Sequence, residues 1–215
     1  MSLEPRGTHP SNPARLVQIA LLAAIQVVMS FTPLGFIMIP FLAIKATLVH
    51  LPVIVGGALL GPGVGAVLGG VFGLCSIINN TLYPGPTSFV FSPFIAAGLY
   101  GLAGVLKSLV IALVPRILVG VAAGLIAGPR RQGTRLRLLV GGVCSSMVNT
   151  LLVMGGIYLL YGRDYAQTIG QSYQLLLAYI LGVVSFNGVI EALLAALLTA
   201  AIVPVLRRVV HRTGA

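Results

Sequence analysis

Strongly polar side chains occur at similar depths in several apolar stretches of this sequence. Arg116 stands 14 positions before Arg130, which corresponds to roughly 21 Å along a helix with a rise of ~1.5 Å per residue. By the same rise, Glu191, Asn149 and Asn79 lie roughly 18–24 Å from the basic or turn residues that end their own stretches. If these stretches cross a membrane, the polar groups form one layer in its middle to outer half.

Two kinds of chemistry fit such a layer. An ionisable group at this depth costs at least ~2.5–3.5 kcal/mol, so Arg116 and Glu191 should face the protein interior and find partners. In one interpretation they form a structural ion pair, and the asparagines join helices. In the favoured interpretation they line a solute cavity, in which a fixed guanidinium suits a carboxylate. Pro115 interrupts helix hydrogen bonding nearby and either frees a carbonyl for the solute or kinks the helix.

The candidate solute-binding residues are Arg116, Asn149, Asn187, Glu191, Asn79, Asn80, Lys45 and His50. Asn187 precedes Glu191 by one helical turn and therefore shares its face. Lys45 lies near the outer end of its stretch, where a lysine also snorkels towards the headgroups. His50 is more readily explained as a structural histidine than as a ligand.

Composition indicates whether the chain folds in water or in a membrane. Of its 215 residues, 58% are hydrophobic and 7% are charged, and the mean hydropathy is +1.06. Soluble domains carry about 25% charged residues, so we predict an all-α integral membrane protein that forms a single bundle. The net charge of +10 comes from arginines at stretch ends and in loops, which orient a membrane protein, and nucleic acid is not an expected partner.

Hydropathy predicts six transmembrane helices at residues 16–32, 46–60, 66–80, 106–127, 138–160 and 175–206. The domain organisation is a cytoplasmic tail at 1–14, a membrane domain at 15–207 and a second cytoplasmic tail at 208–215. Arginines cluster before the first helix, between the fourth and fifth, and after the sixth, which places both termini in the cytoplasm. The longer connections, at 34–45, 81–104 and 161–174, then lie outside, and residues 94–104 could form an extra short helix.

Catalytic motifs are not found in the sequence. It contains no Walker motif, no nucleophile–base–acid set and no cluster of histidines and cysteines with metal-ligand spacing. Cys75 and Cys144 lie inside apolar runs, as small packed residues do. We expect no enzyme activity, no cofactor and no metal.

Several stretches taken together resemble the substrate-binding S components of energy-coupling factor (ECF) vitamin transporters. They are "IKATLVHLPVIVGGALLGPGVGAVLGGVFGL", "NNTLYPGPTSFVFSPF", "VPRILVGVAAGL" and "VNTLLVMGGIYLLYG". The resemblance extends from about residue 14 to the sixth helix and is closest to the pantothenate-type or unassigned branch. It implies a six-helix subunit that captures a vitamin outside the cell and works with a transmembrane coupling subunit and two cytoplasmic ATPases. Ala20 and Ala24 match the family's Ala-xxx-Ala contact with the coupling subunit.

The sequence leaves more than one solute and more than one function open. Pantothenate carries a carboxylate and hydroxyls that suit Arg116, Asn149 and Asn187. Riboflavin or another micronutrient is the alternative within the family, although tryptophan is absent and 7% of residues are aromatic. Outside the family, the alternatives are a structural membrane protein and a stand-alone secondary transporter.

Overall fold

The computed structural model describes residues 13–39, 44–129 and 134–212. Within these ranges the chain forms seven α-helices and one antiparallel hairpin. The bounds are α1 Pro13–Phe31, β1 Phe36–Ile39, β2 Ile44–Thr47, α2 Leu51–Leu60, α3 Pro62–Leu82, α4 Pro93–Ala127, α5 Arg135–Thr168, α6 Tyr173–Val183 and α7 Val189–Arg212. A π-helix at Val184–Gly188 joins α6 to α7 without a break, and short 3-10 turns lie at Pro33–Gly35 and Ser88–Val90.

Five helical stretches are long and apolar enough to cross a membrane: α1, α3, α4, α5 and the continuous helix Tyr173–Arg208. The predicted second span is wrong in its first part, because residues 44–47 form a strand and α2 begins only at Leu51. β-branched residues favour the strand, and Pro52 is suited to the first turn of a helix. With ten residues, α2 is about 15 Å long, roughly half of a hydrocarbon core.

Two helices extend beyond their predicted bounds. α4 begins at Pro93 and includes the stretch 94–104, with a bend at Gly101, where φ is 61° and ψ is −149°. Only glycine adopts this conformation without strain, so the bend is encoded by the residue type. α5 continues to Thr168 through a kink at Tyr161, and the predicted 161–174 loop shrinks to residues 169–172.

Glycines bring α3 and α4 into close backbone contact. A Cβ atom at Gly65 would collide with the carbonyl of Gly120, and one at Gly69 would collide with the carbonyl of Arg116. Small residues permit this approach, which maximises dispersion contacts between helices where water supplies no driving force. The position of Arg116 in the bundle is therefore fixed through its backbone as well as its side chain.

Arginine side chains link the helices at one end of the bundle, which we call the arginine-fastened end. Arg207 Nη2 in α7 donates hydrogen bonds to the carbonyls of Ala58 (2.9 Å) and Ala127 (2.8 Å), and Arg15 Nη2 in α1 donates to the carbonyl of Leu60 (3.3 Å). These carbonyls belong to the last turns of α2 and α4, where a cation satisfies unpaired groups and complements the helix dipole. The start of α1 and the end of α7 thus lie at the same end of the bundle.

Candidate solute-binding site

A cavity of about 240 Å³ lies between α1, α3, α4 and the residues that follow β2. We call it the polar cavity. It is lined by Ser30, Thr47, Val49, Phe72, Cys75, Ser76, Asn79, Asn80, Phe91 and Arg116. Convergent polar groups beside apolar side chains are typical of small-molecule sites, and the volume lies just below their usual range of ~300–1,000 Å³.

Arg116 occupies this wall because of the proline before it. Pro115 has no N–H group and lies in the middle of α4, so the carbonyl of Ile111, four residues earlier, loses its helical donor. Arg116 Nη1 replaces that donor and bonds the Ile111 oxygen at 2.7 Å. The residue is 6% exposed, and its Nε has no hydrogen-bond partner among the described residues. Nη1 therefore supplies the hydrogen bond that the helix lacks at Ile111, whereas Nε has no acceptor among the described residues.

Two aromatic rings flank the Arg116 guanidinium. Its Cζ lies 5.4 Å from the centre of the Phe72 ring and 5.0 Å from that of Phe91. A desolvated cation–π contact is worth up to about 2 kcal/mol, so these rings partly replace the lost hydration of the cation. They do not neutralise it. A buried, uncompensated positive charge in a cavity wall is a site for an anion.

The two asparagines of α3 have different roles. Asn79 Nδ2 donates to the Ser30 carbonyl at 2.7 Å and so joins α3 to α1. Asn80 is used at both ends of its amide: Nδ2 donates to the Ser76 carbonyl at 2.9 Å, and Oδ1 accepts the Ser88 hydroxyl at 3.0 Å. Asn80 therefore fixes the loop between α3 and α4, and Asn79 has more capacity left for a solute.

Glu191 lies apart from Arg116. Its Oε1 accepts the backbone N–H of Thr47 at 2.7 Å. Within the described ranges the two side chains form no ion pair, so the structural-pair interpretation is not what the structure shows. Arg116 contacts a carbonyl and two rings, and Glu191 contacts the backbone of the hairpin.

The other candidates border the cavity or lie away from it. His50 is the N-cap residue of α2; it is 1% exposed, and neither ring nitrogen has a partner among the described residues. Asn149 in α5 has a buried Oδ1 that likewise lacks a described partner, and Asn187 lies in the π-helix; neither lines the polar cavity. Lys45 belongs to β2, and its side chain lies outside the described part of the structure.

Sequence reasoning missed Thr47, Phe72 and Phe91. Phe72 precedes Ser76 and Asn79 by four and seven positions, a spacing that puts all three on one helix face and could have identified it. Thr47 could not be found in this way, because the strand that delivers it was predicted as helix. Phe91 reaches Arg116 only through the fold of the loop before α4.

Two further cavities differ in character from the polar cavity. One of about 550 Å³ lies at the arginine-fastened end, lined by Arg15, Leu59–Gly63 and the end of α4. Another of about 310 Å³ lies between α4 and α5 and is lined by aliphatic side chains, glycines and Pro115. Neither combines a buried charge with convergent amides, so the polar cavity is the best candidate for a solute site.

One face of α1 is apolar and exposed. Ala20 and Ala24 both lie on it, together with large side chains such as Leu21 (61% exposed) and Val28 (49% exposed). Lipid or another membrane helix can cover such a face. The small alanines allow a second helix to approach closely.

Comparison with known proteins identifies the family. Residues 14–203 match the family described as ECF transporter, substrate-specific component. The chain belongs to this family.

Two relatives support the same assignment. The chain is 38% identical over 195 residues to the pantothenic acid transporter PanT of Lactococcus lactis subsp. cremoris, and the match covers 88% of this chain and 92% of that protein. It is 28% identical over 196 residues to the pantothenate transporter PanT of Leuconostoc mesenteroides subsp. mesenteroides, covering 86% and 85%. The substrate-specific component is thus a multi-pass protein of the plasma membrane that serves transport, as its sequence predicted.

Proposed function

We propose that this substrate-specific component captures pantothenate from outside the cell. The observation that carries the proposal is Arg116, a buried guanidinium with an unpartnered Nε in the wall of a cavity of about 240 Å³. The two relatives named as pantothenate transporters support it.

The chemistry of pantothenate suits the lining of the polar cavity. Its carboxylate would accept a charge-assisted hydrogen bond from Arg116, which is stronger than a neutral one. Its hydroxyls and amide would meet Asn79, Ser76 and the other polar groups, while its methyl groups would contact Val49 and the two phenylalanines. Riboflavin, with three fused rings and a polyol chain, is much larger than pantothenate and fits this volume less well.

We propose that the remaining candidates contribute further polar groups near the solute or hold the segments that enclose it. His50 and Asn149 hold buried nitrogen and oxygen atoms without described partners, and such groups are rarely left unpaired in a working state. Asn187 lies in a π-helix, a distortion that is frequent at functional sites. Lys45, in β2, would attract an anionic solute through its positive charge. Asn80 and Glu191 would act through the loop and the hairpin that they hold.

The proposed topology has six helices, α2 with its hairpin taking the place of the second, between cytoplasmic tails at 1–14 and 208–215. Both ends of the 15–207 membrane domain lie at the arginine-fastened end of the bundle, which supports placing both termini in the cytoplasm. Labelling of a cysteine at position 171 by an impermeant maleimide in intact cells, but not of one at position 212, tests this orientation.

The proposed partners are a transmembrane coupling subunit and two cytoplasmic ATPases. Ala20 and Ala24 would contact the coupling subunit on the exposed face of α1. Because the sequence contains no Walker motif, ATP would be hydrolysed by these partners.

Calorimetric titration of pantothenate into the purified chain tests the solute. We expect saturable binding by the wild type and a loss of at least about tenfold in affinity for Arg116→Lys, because lysine lacks the fork geometry. Arg163→Ala is the matched control, since Arg163 is exposed and contacts Tyr173 outside the polar cavity. Saturable binding of a different vitamin in place of pantothenate would contradict the assignment.

A further inference from the structure

Glu191 makes one contact that neither solute binding nor helix packing explains. Its Oε1 accepts the N–H of Thr47 at 2.7 Å, across 144 positions of sequence. Thr47 is the last residue of β2 and pairs with Phe36 of β1. The bond therefore joins a side chain of the long C-terminal helix to the point at which the hairpin returns to the bundle.

The hairpin itself cannot satisfy the N–H of Thr47. In an antiparallel pair, hydrogen-bonded and non-hydrogen-bonded positions alternate along the strand. Leu48 N–H bonds the carbonyl of Gly35 at 2.8 Å, so the N–H of the preceding residue points away from β1. Without Glu191, this donor would face a partly buried environment with no acceptor in the hairpin.

Thr47 is also part of the wall of the polar cavity, as is Val49 two residues later. A change in the position of Thr47 therefore changes the enclosure of the cavity directly. Glu191 follows the π-helix Val184–Gly188 by three residues, and both segments lie against β2. The carboxylate is thus mounted on a rigid helix while its partner sits on a two-stranded hairpin, an element with little stability of its own.

We propose that Glu191 is a positioning residue that latches the hairpin over the polar cavity through the Thr47 N–H and does not itself touch the solute. This inference rests on the proposed function, since it treats the polar cavity as the solute site. With the latch formed, Thr47 and Val49 enclose the solute. With the latch broken, the hairpin opens and the solute escapes.

The test compares Glu191→Ala and Glu191→Gln with Leu193→Ala, a truncation on the same helix at an exposed position (55% exposed). In Glu191→Ala we expect amide hydrogen exchange at residues 44–51 and pantothenate dissociation to accelerate about ten- to a hundredfold, the range for a lost hydrogen bond to a charged group. Glu191→Gln keeps an acceptor oxygen, so both the hydrogen exchange and the pantothenate dissociation should return most of the way to their wild-type rates. Unchanged exchange at 44–51 in Glu191→Ala, relative to Leu193→Ala, would overturn the latch.

A second variant keeps the test decisive if Glu191→Ala does not fold. Thr47→Pro removes the donor and leaves Glu191 intact, at an edge position where proline is tolerated. We expect the same faster dissociation, because the bond is then lost from the donor side. Dissociation of Thr47→Pro at the wild-type rate would overturn the latch.

Discrimination between carboxylate and carboxamide separates positioning from direct binding. The preference for pantothenate over its carboxamide analogue should persist in Glu191→Ala and disappear in Arg116→Gln, which removes the positive charge. Loss of this preference in Glu191→Ala would place Glu191 on the solute and overturn the proposal. Because hydrogen exchange needs no solute, the latch can be confirmed even if pantothenate does not bind.

Discussion

At the residue scale, the role of Arg116 follows from the proline beside it. Pro115 leaves the Ile111 carbonyl without its helical donor, and Arg116 supplies one at 2.7 Å. A charged residue in a membrane helix is thereby used for two purposes, repair of the backbone with Nη1 and presentation of charge to the polar cavity. A simple alanine substitution would remove both at once.

Pro115→Ala combined with Arg116→Ala separates the two roles. In Arg116→Ala alone, the buried Ile111 carbonyl is unsatisfied, and we expect a stability loss of about 1–3 kcal/mol together with loss of pantothenate binding. In the double variant, the N–H of the new alanine at position 115 bonds Ile111, so the melting temperature in detergent should recover while binding stays absent. Pantothenate binding by the double variant at wild-type affinity would show that Arg116 is only structural.

At the element scale, the contact between α3 and α4 sets the geometry of the polar cavity. Gly69 faces the Arg116 carbonyl directly, whereas an added Cβ at the neighbouring Gly70 meets no atom within 4 Å. The two glycines therefore form a matched pair, one at the interface and one in open space. α3 contributes Phe72, Ser76 and Asn79 to the cavity wall and α4 contributes Arg116, so a shift between these helices alters the whole site.

Gly69→Ala should weaken both folding and binding. Overpacking of a tight contact costs about 1–3 kcal/mol, and displacement of α4 moves the guanidinium relative to its rings. Gly70→Ala should be neutral or stabilising by up to about 1 kcal/mol, because alanine favours the helix. Thermal melting and titration calorimetry of the two variants check this. Equal effects of both would mean that the tight contact does not control the site.

At the scale of the whole molecule, the surfaces proposed for capture and for assembly are different. The polar cavity lies among α1, α3, α4 and the hairpin, while Ala20 and Ala24 lie on the exposed face of α1. A subunit of this family must bind its solute and also join its partners. The separation of the two surfaces allows each to be disrupted without the other.

Ala20→Leu with Ala24→Leu should abolish assembly with the coupling subunit while pantothenate binding to the isolated chain is unchanged. Larger side chains prevent close helix approach, and neither position lines the polar cavity. Ala103→Leu, at an exposed small residue of α4, is the control and should assemble normally. Co-purification on a tagged coupling subunit measures the outcome, and normal assembly of the Ala20/Ala24 variant would place the interface elsewhere.

The sequence alone determined the solvent and the class, and it predicted the depth of the polar layer. Those properties depend on composition and on the fixed rise of a helix, which apply before any packing occurs. The family followed from ordered stretches of sequence and was confirmed by comparison. Arg116 and Asn79 were identified by the same logic, because polar residues at such depth must face the protein interior.

The tertiary structure alone decided which polar groups meet. Glu191 and Arg116 are predicted at similar depth, yet depth does not fix the direction in which a side chain points, and the structure gives each a different partner. The hairpin was not predicted, because a short apolar run is compatible with either a strand or a helix. Its pairing with β1 is a contact between separate segments, which local sequence does not specify. For the same reason, Thr47 and Phe91 enter the site only through contacts between segments distant in sequence.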